Sequence, residues 1–172
     1  MISPIARAGT PSPQGRFWDR TAPHAWFVAH ILITGMSGAG KSTLVAELNR
    51  RCYLAVDTDY GGWTRTVGLW DERRMDELLT SSVDVVVSGT VENQVDFYDR
   101  FEHVVLLSAP VEVLVERVAA RTNNPYGGSP EQQDEIRRYV AEVEPLLREG
   151  ATVELDGRRP VGELADAISA LM

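Results

Sequence analysis

A glycine-rich stretch with the sequence GMSGAGKS, at residues 35–42, lies between an apolar run and a segment with helical periodicity. The run at residues 29–35 is short, β-branched and closed by glycine, which is typical of a strand buried on both faces. Leu44, Val45 and Leu48 follow at helical spacing. A buried strand, a tight turn and a helix in direct succession predict the opening unit of an α/β domain.

The same alternation continues along the chain. Four more strands are predicted by apolar runs at residues 52–56, 83–87, 103–107 and 152–155. Helical spacing of apolar residues predicts helices around residues 75–79, 111–118, 129–150 and 161–171, the third opening on a capping box at Ser129. Strands that alternate with helices predict a parallel sheet covered on both faces, with right-handed crossovers.

Composition restricts the classes of function. The chain has 172 residues, with 17 lysines and arginines, 25 aspartates and glutamates, and a formal net charge of −8. An acidic chain repels phosphate backbones, which excludes a sequence-independent nucleic-acid binder. Cys52 is the only cysteine, so an internal disulfide is excluded and a zinc site is disfavoured. We expect Cys52 to be a buried residue at the start of a strand, in a protein of the reducing cytoplasm.

Residues 1–28 differ from the rest of the chain. They hold Pro4, Pro11, Pro13 and Pro23, four of the nine prolines, and this composition opposes both helix and strand. We interpret residues 1–28 as a flexible N-terminal extension and residues 29–172 as one domain. Apolar runs fall far short of the roughly 20 residues that a bilayer requires. We therefore expect no membrane partner. The protein is expected to be a monomer or a homodimer.

The glycine-rich stretch matches the pattern G-x-x-x-x-G-K-[ST] in the context that this motif requires, after a strand and before a helix. Its backbone N–H groups point into one cavity, and the helix N-terminus adds partial positive charge, so the stretch forms a cradle for phosphate. Lys41 is expected to reach the β- and γ-phosphate oxygens of a nucleotide, and Ser42 to bind Mg²⁺ through its hydroxyl. The predicted nucleotide-binding residues of this stretch are Gly35, Ser37, Gly38, Ala39, Gly40, Lys41, Ser42 and Thr43.

Polar loops follow the second and third predicted strands, at the edge of the sheet where ligands gather. Of Asp57 and Asp59, one carboxylate can reach Mg²⁺ or its water, while the other accepts the proton of an attacking hydroxyl. The alternative is that both only cap or turn the chain. Further candidates for contact with an acceptor substrate are Trp63, Gly89, Asn93 and Gln94. Trp63 can equally be a core residue, and Asn93 and Gln94 can equally begin a helix.

Two arginines have no carboxylate at helical pairing distance in the sequence. Arg117 and Arg121 lie four residues apart on one helix face, with no carboxylate three or four positions from either. The polar segment after them cannot stay helical through Pro125, which predicts a lid over residues 122–133. On its stem, the two arginines would close over a triphosphate and stabilise developing charge. The alternative is that they form distant salt bridges with surplus carboxylates.

These motifs together resemble the small P-loop kinases, the group of shikimate kinase, gluconate kinase and adenylate kinase. The resemblance covers residues 29–172 and implies a three-layer α/β/α P-loop NTPase fold with a five-stranded parallel sheet in the order 2-3-1-4-5. It also implies ATP with Mg²⁺ and an adenine slot against residues 156–160, to which Arg158 and Pro160 would contribute. From shikimate kinase it carries a metal-assisting role to Asp57 and contact with the acceptor hydroxyl to Asp59.

The departures from that group limit the substrate. Shikimate kinase has a glycine triplet where this chain has Ser88-Gly89-Thr90, so shikimate itself is not expected. Ser88 and Ser108 follow the third and fourth predicted strands, where a Walker-B aspartate is usual. We expect an ATP-dependent kinase acting on a hydroxyl of a small molecule, such as a sugar, a cyclitol or a specialised metabolite or antibiotic. The alternatives are a nucleoside or nucleotide kinase, and a nucleotide-binding regulatory protein with little or no transferase activity.

Overall fold

The fold is seen in a computed structural model that describes residues 29–66, 68–121 and 128–172. The predicted extension, residues 1–28, and residues 122–127 of the predicted lid lie outside the described residues. In chain order the elements are β1 (Ala29–Thr34), α1 (Lys41–Arg50), β2 (Ala55–Asp57), β3 (Thr64–Thr66), β4 (Leu69–Trp70), α2 (Glu72–Ser81), β5 (Asp84–Ser88), a 3₁₀ helix (Glu92–Arg100), β6 (His103–Ser108), α3 (Val111–Ala120), α4 (Pro130–Glu142), α5 (Glu144–Gly150), β7 (Val153–Asp156) and α6 (Val161–Ser169).

A five-stranded parallel sheet organises the domain, with the strand order β2-β5-β1-β6-β7. When the five predicted strands are counted in sequence order, this is the expected order 2-3-1-4-5, so the predicted fold class is confirmed. The central strand β1 pairs with β5 through Ile31 and Val86, and with β6 through Ile33 and Val105. All six residues of β1 are buried, as a strand covered on both faces must be.

Helices cover both faces of the sheet because neighbouring side chains of each strand point in opposite directions. Ile31 and Ile33 of β1 belong to the cluster that contains Leu44 of α1 and Ile168 of α6. Leu32 belongs to a second cluster, on the other face. Its members include Met75 and Leu79 of α2 and Phe97 of the 3₁₀ helix. The result is a three-layer α/β/α domain.

Three local predictions are wrong. The second strand begins at Ala55 rather than at residue 52, and Cys52 is an exposed turn residue with φ of 68°. A small antiparallel hairpin, β3 and β4, lies between β2 and α2, where only a loop was expected. The helix expected to reach Gly150 without interruption is divided at Val143, because Pro145 in the first turn of α5 has no N–H to continue the α4 ladder.

The parallel arrangement determines where functional groups can meet. The carboxyl ends of β1, β2, β5, β6 and β7 lie along one edge of the sheet, and the loops that follow them share that edge. The predicted lid, residues 122–133, ends within the first turn of α4, whose capping box at Ser129 is present as predicted. No helix in the described part of the chain is both long enough and apolar enough to cross a membrane.

Candidate nucleotide and phosphoryl-transfer site

The glycine-rich turn between β1 and α1 is held tightly against its neighbours. Gly38 has φ of 87°, and a Cβ atom at this position would lie 2.6 Å from the carbonyl oxygen of Leu114 in α3. Gly35 has φ of 145°, and a Cβ there would collide with the carbonyl oxygen of Leu107. Both positions therefore require glycine, for backbone conformation and for close packing. The turn delivers Lys41 as the first residue of α1.

Lys41 is buried at the centre of the site. Its ammonium group donates hydrogen bonds to the carbonyl oxygens of Gly35, at 2.6 Å, and Met36, at 3.4 Å. Burial is the largest influence on the pKa of Lys41 and lowers it from 10.5, while the carboxylates of Asp59 and Asp57 raise it and Arg121 lowers it further. The two aspartates and Arg121 are therefore electrostatic neighbours of the lysine, although they come from three separate parts of the chain.

A cavity of about 410 Å³ opens at this point. Four segments line it: the glycine-rich turn and the start of α1, the loop after β2, the C-terminal end of α3, and the turn between β7 and α6. The lining residues are Ser37, Gly38, Gly40, Lys41, Ser42, Thr43, Asp59, Tyr60, Arg117, Arg121, Gly157, Arg159, Val161 and Leu164. Four of these side chains are cationic and one is a carboxylate, in a protein whose net charge is −8. The cavity is thus suited to an anion.

Arg117 connects two walls of the cavity. Its Nη1 donates to the carbonyl oxygen of Gly157 at 2.9 Å and, more weakly, to that of Gly38 at 3.4 Å. Gly157 must be a glycine here, because a Cβ would lie 2.6 Å from the carbonyl oxygen of Ala39. Arg121 follows directly after α3 and lines the same cavity. One arginine therefore braces the glycine-rich turn against the β7–α6 turn, and both contribute positive charge.

Asp57 ends β2, and Asp59 lies two residues beyond it. The Asp57 side chain accepts a hydrogen bond from the N–H of Asp59 at 3.1 Å, so it turns the chain, as the alternative interpretation proposed. Asp59 also lines the cavity. Within residues 29–66, 68–121 and 128–172, no three His, Cys, Asp or Glu side chains group closely enough to hold a metal ion. Mg²⁺ in phosphate-transfer sites needs only one or two protein carboxylates beside substrate phosphates and water. Ser42 offers an oxygen ligand in the cavity lining, whereas Asp57, the other predicted ligand, is not among the described lining residues.

The predicted acceptor residues after β5 are engaged within the protein. A Cβ on Gly89 would collide with the Thr58 hydroxyl and lie 3.0 Å from the indole of Trp70. Asn93 binds the backbone of Trp70 through both ends of its amide, at 2.9 and 3.3 Å. Gln94 is 1% exposed and contacts Thr34. The described lining of the cavity does not include Gly89, Asn93 or Gln94.

Trp63 is half-buried, beside the site rather than in its lining. The guanidinium of Arg74 lies 4.0 Å from the centre of the Trp63 ring. The same guanidinium donates to the carbonyl oxygens of Gly61 and Gly62, each at 2.7 Å. The two glycines are therefore fastened to α2 by an arginine that sequence reasoning did not select.

The turn after β7 presents different residues to the cavity from those expected. Arg158 pairs with Asp156 at 2.6 Å, and this pairing lowers the pKa of Asp156 to about 2. Arg158 and Pro160 are not in the described lining, whereas Gly157 and Arg159 are. The N–H of Arg159 donates to the Asp156 carbonyl oxygen and Arg158 folds back on the Asp156 side chain, so a motif in this turn indicates the segment without indicating which of its side chains faces inward.

Thr90 is a further residue of this site that sequence reasoning left without a role. Its hydroxyl accepts a hydrogen bond from the N–H of Gly35 at 3.2 Å and donates to the Gly35 carbonyl at 2.8 Å. The available signal was its place two residues after the end of β5, at the edge of the sheet that carries the glycine-rich turn. Tyr60, Val161 and Leu164 are lining residues that were also missed.

The chain is similar to a known protein family and to several solved structures. The AAA domain family AAA_18 matches residues 31–138. No curated protein matches the sequence. Among solved structures, shikimate kinase from Acinetobacter baumannii in complex with shikimate superposes with a TM-score of 0.63 at 21% identity, covering 84% of this chain and 92% of that chain. A gluconokinase from Sinorhizobium meliloti 1021 gives 0.55 at 22%, covering 84% and 91%.

Deoxyadenosine kinase from M. mycoides with bound dATP gives a TM-score of 0.57 at 14% identity, covering 82% of this chain and 97% of that chain. Likeness at these identities establishes a shared fold. The family match spans more than half of the chain and includes the glycine-rich turn, both aspartates after β2, and both arginines of the α3 stem. The chain therefore belongs to the AAA_18 family of AAA domains, and it has the fold of the small P-loop kinases.

Proposed function

We propose that the protein is an ATP-dependent kinase that transfers the γ-phosphoryl group to a hydroxyl of a small molecule. The observation that carries this proposal is the single cavity that Lys41, Asp59, Arg117 and Arg121 share with the glycine-rich turn. A site that only binds nucleotide needs the turn and the lysine. A carboxylate beside them supplies what phosphoryl transfer to a hydroxyl also requires, which is an acceptor for the hydroxyl proton.

Each residue has a defined part in the proposed reaction. The amides of the glycine-rich turn and Lys41 hold the β- and γ-phosphates. Asp59 orients the acceptor hydroxyl and takes its proton as the acceptor oxygen bonds to the γ-phosphorus and the bond from that phosphorus to the ADP oxygen breaks. Arg117 and Arg121 stabilise the negative charge that develops on the leaving ADP. Ser42 and Asp57 would hold Mg²⁺, which would supply neutralisation of the phosphate charge.

The remaining parts of the chain complete the proposal. The base of the nucleotide would lie toward the β7–α6 turn, where Val161 and Leu164 give the cavity an apolar wall. Arg158 and Pro160, expected at the adenine from the resemblance, belong to the same turn. Residues 29–172 would act as the kinase domain, with residues 122–133 as its lid and residues 1–28 as an extension.

Acceptor-dependent turnover tests this function. The protein is incubated with ATP, Mg²⁺ and a panel of sugars, cyclitols, nucleosides and antibiotics, and ADP is measured above the blank without acceptor. With an acceptor found, Asp59→Asn should lower turnover by about two orders of magnitude, the usual contribution of a general base, while ATP affinity stays nearly unchanged. Asp99→Asn is the matched control, because it makes the same change at an exposed position outside the cavity. Unchanged turnover in Asp59→Asn would remove Asp59 from the mechanism.

A second candidate function is a nucleotide-binding regulatory protein with little transferase activity. The observation in its favour is that β5 ends at Ser88 and β6 at Ser108, so neither strand supplies a Walker-B aspartate. ATP binding without acceptor-dependent ADP formation across the whole panel would favour this candidate. Turnover on nucleosides or nucleotides alone would instead identify a nucleoside or nucleotide kinase.

A further inference from the structure

The carbonyl oxygen of Gly35 accepts hydrogen bonds from two different side chains. The Lys41 ammonium group donates to it at 2.6 Å, and the Thr90 hydroxyl donates to it at 2.8 Å. The same hydroxyl accepts a hydrogen bond from the Gly35 N–H at 3.2 Å. Thr90 thus bonds to both backbone groups of the first residue of the glycine-rich turn, while Lys41 shares one of them.

The two donors differ in how freely they can move. The Thr90 side chain is short, and Gly35 holds its hydroxyl through two hydrogen bonds, one accepted from the N–H and one donated to the carbonyl. The neighbouring Thr34 hydroxyl, 3.2 Å from that of Thr90, donates to the buried Gln94 at 3.2 Å. Gln94 is fixed by a bond to Tyr98 at 2.8 Å. Lys41 has a long flexible side chain whose other bond, to Met36, is a weak one of 3.4 Å. The threonine is therefore held at Gly35 by two hydrogen bonds on a short side chain, whereas the lysine can leave.

Nucleotide binding requires the lysine to leave. In the proposed function, Lys41 turns from the Gly35 carbonyl to the phosphate oxygens. A buried carbonyl oxygen left with no partner would oppose that movement. We propose that Thr90 is a positioning residue that keeps the Gly35 carbonyl bonded when Lys41 transfers to phosphate, and so lets the lysine bind nucleotide without loosening the turn. This inference rests on the proposed function, because it assumes that Lys41 binds phosphate.

The first test measures ATP affinity by calorimetry in the presence of Mg²⁺. Thr90→Val keeps the shape of the side chain and removes the hydroxyl, and it should weaken ATP binding about tenfold, as expected when binding strands one buried acceptor. Thr90→Ser restores the hydroxyl and should bind within about twofold of the wild type. Thr152→Val is the matched control, because the Thr152 hydroxyl bonds to the N–H and carbonyl of Val104 in the same manner, away from the cavity lining.

The second test needs no nucleotide. In the free protein, Lys41→Met leaves Thr90 as the remaining side-chain donor described at the Gly35 carbonyl, and Thr90→Val leaves Lys41. Only the double variant removes both. Thr90→Val should therefore raise the unfolding equilibrium constant about tenfold more in the Lys41→Met background than in the wild type, measured by denaturant unfolding. Should Thr90→Val not fold, Thr90→Ala, which also removes the hydroxyl donor, replaces it in both tests.

The outcomes separate the two proposals. Wild-type affinity in Thr90→Val, or equal weakening in Thr90→Val and Thr152→Val, overturns the role of Thr90 while leaving nucleotide binding intact. If the effects of Thr90→Val and Lys41→Met on the free energy of unfolding are additive, the two donors do not share the carbonyl, and the role of Thr90 is again overturned. A wild-type protein that binds no ATP removes the proposed function together with the phosphate-dependent part of this inference. Weakened binding in Thr90→Val, rescue by Thr90→Ser and non-additive unfolding together support it.

Discussion

Gly89→Ala is expected to disrupt the packing between β5 and the loop after β2. A methyl group at this position would collide with the Thr58 hydroxyl and would lie 3.0 Å from Cζ2 and 3.3 Å from Nε1 of Trp70. The Thr58 hydroxyl cannot move aside without loss, because it donates to the Ser88 carbonyl at 2.8 Å and accepts from the Trp70 indole at 2.9 Å. Trp70 is 2% exposed and is equally confined.

The size of the effect follows from these contacts. Insertion of a methyl group into well-packed surroundings costs about 1–3 kcal/mol, and each of the two hydrogen bonds of Thr58 contributes about 0.5–1.5 kcal/mol. Gly89→Ala should therefore lower the free energy of unfolding by about 2–6 kcal/mol, a large part of the roughly 5–15 kcal/mol that stabilises a typical domain. Because Thr58 lies between Asp57 and Asp59, its displacement should also reduce turnover.

A double-mutant cycle in denaturant unfolding isolates the clash. Thr58→Ala removes the hydroxyl that the new methyl group would meet, so the double variant Gly89→Ala/Thr58→Ala should be about 1–2 kcal/mol more stable than the sum of the single effects predicts. The contacts with Trp70 remain, which makes the rescue partial. A neutral Gly89→Ala, or strictly additive effects, would refute this packing role and return Gly89 to the acceptor-contacting role expected from the sequence.

Three further results are expected. Arg117→Met should weaken ATP binding by about tenfold in calorimetry, because it removes both a cavity charge and the donor to Gly157. Arg158→Ala should raise the pKa of Asp156 from about 2 toward 3.8 in a carboxyl NMR titration, since Arg158 is its main cause of lowering. Burial lowers the pKa of Lys41 below 10.5, so the folded protein loses this proton at a lower pH than the unfolded chain and becomes more stable as the pH rises toward 10.5. Lys41→Met should abolish this gain in thermal stability.

A control variant, a pH dependence and a contradicting outcome check these three expectations in turn. Arg137→Met removes an exposed arginine outside the cavity, paired with Asp134 at 2.7 Å, and should leave ATP affinity unchanged. The stabilising effect of Arg158 should be present above pH 3.8 and fade as the pH falls toward 2, because a carboxyl with a lowered pKa loses that contribution when it is protonated. A pH profile of Lys41→Met identical to that of the wild type would show that burial of the ammonium group does not affect stability.

The layout of the fold was predictable because its signals are local. Alternating apolar runs and helical periodicities mark the five strands of the sheet, and the motif at residues 35–42 marks the strand at its centre. The prediction that Cys52 begins the second strand was wrong because an apolar run does not show at which residue the pairing of two strands begins. The chain turns at Cys52 with φ of 68° and enters the ladder only at Ala55, opposite Val86. The break at Val143 had a local signal in Pro145 that could have been used.

The site was predictable to the level of segments rather than of individual side chains. Among the described residues, the glycine-rich turn, the loop after β2, the α3 stem and the turn after β7 contribute to the cavity, whereas the segment after β5 does not. There, Asn93 and Gln94 have the polar character of ligand-binding residues, yet their partners are Trp70 and Thr34, which are brought to them only by the folded sheet. A polar residue's partner across the fold depends on long-range packing, and spacing along one chain does not encode it.

The pairing of the central strand determines at which stage of folding this protein can bind nucleotide. Ala29 lies opposite Asp84, and Ile31 opposite His103, so the glycine-rich turn is synthesised long before the strands that support it. Gly157, whose carbonyl oxygen accepts a hydrogen bond from Arg117, is synthesised later still. Such non-local contacts form slowly. Nucleotide capture should therefore be a late event in maturation, absent from truncated or nascent chains and usable as a reporter of completed folding.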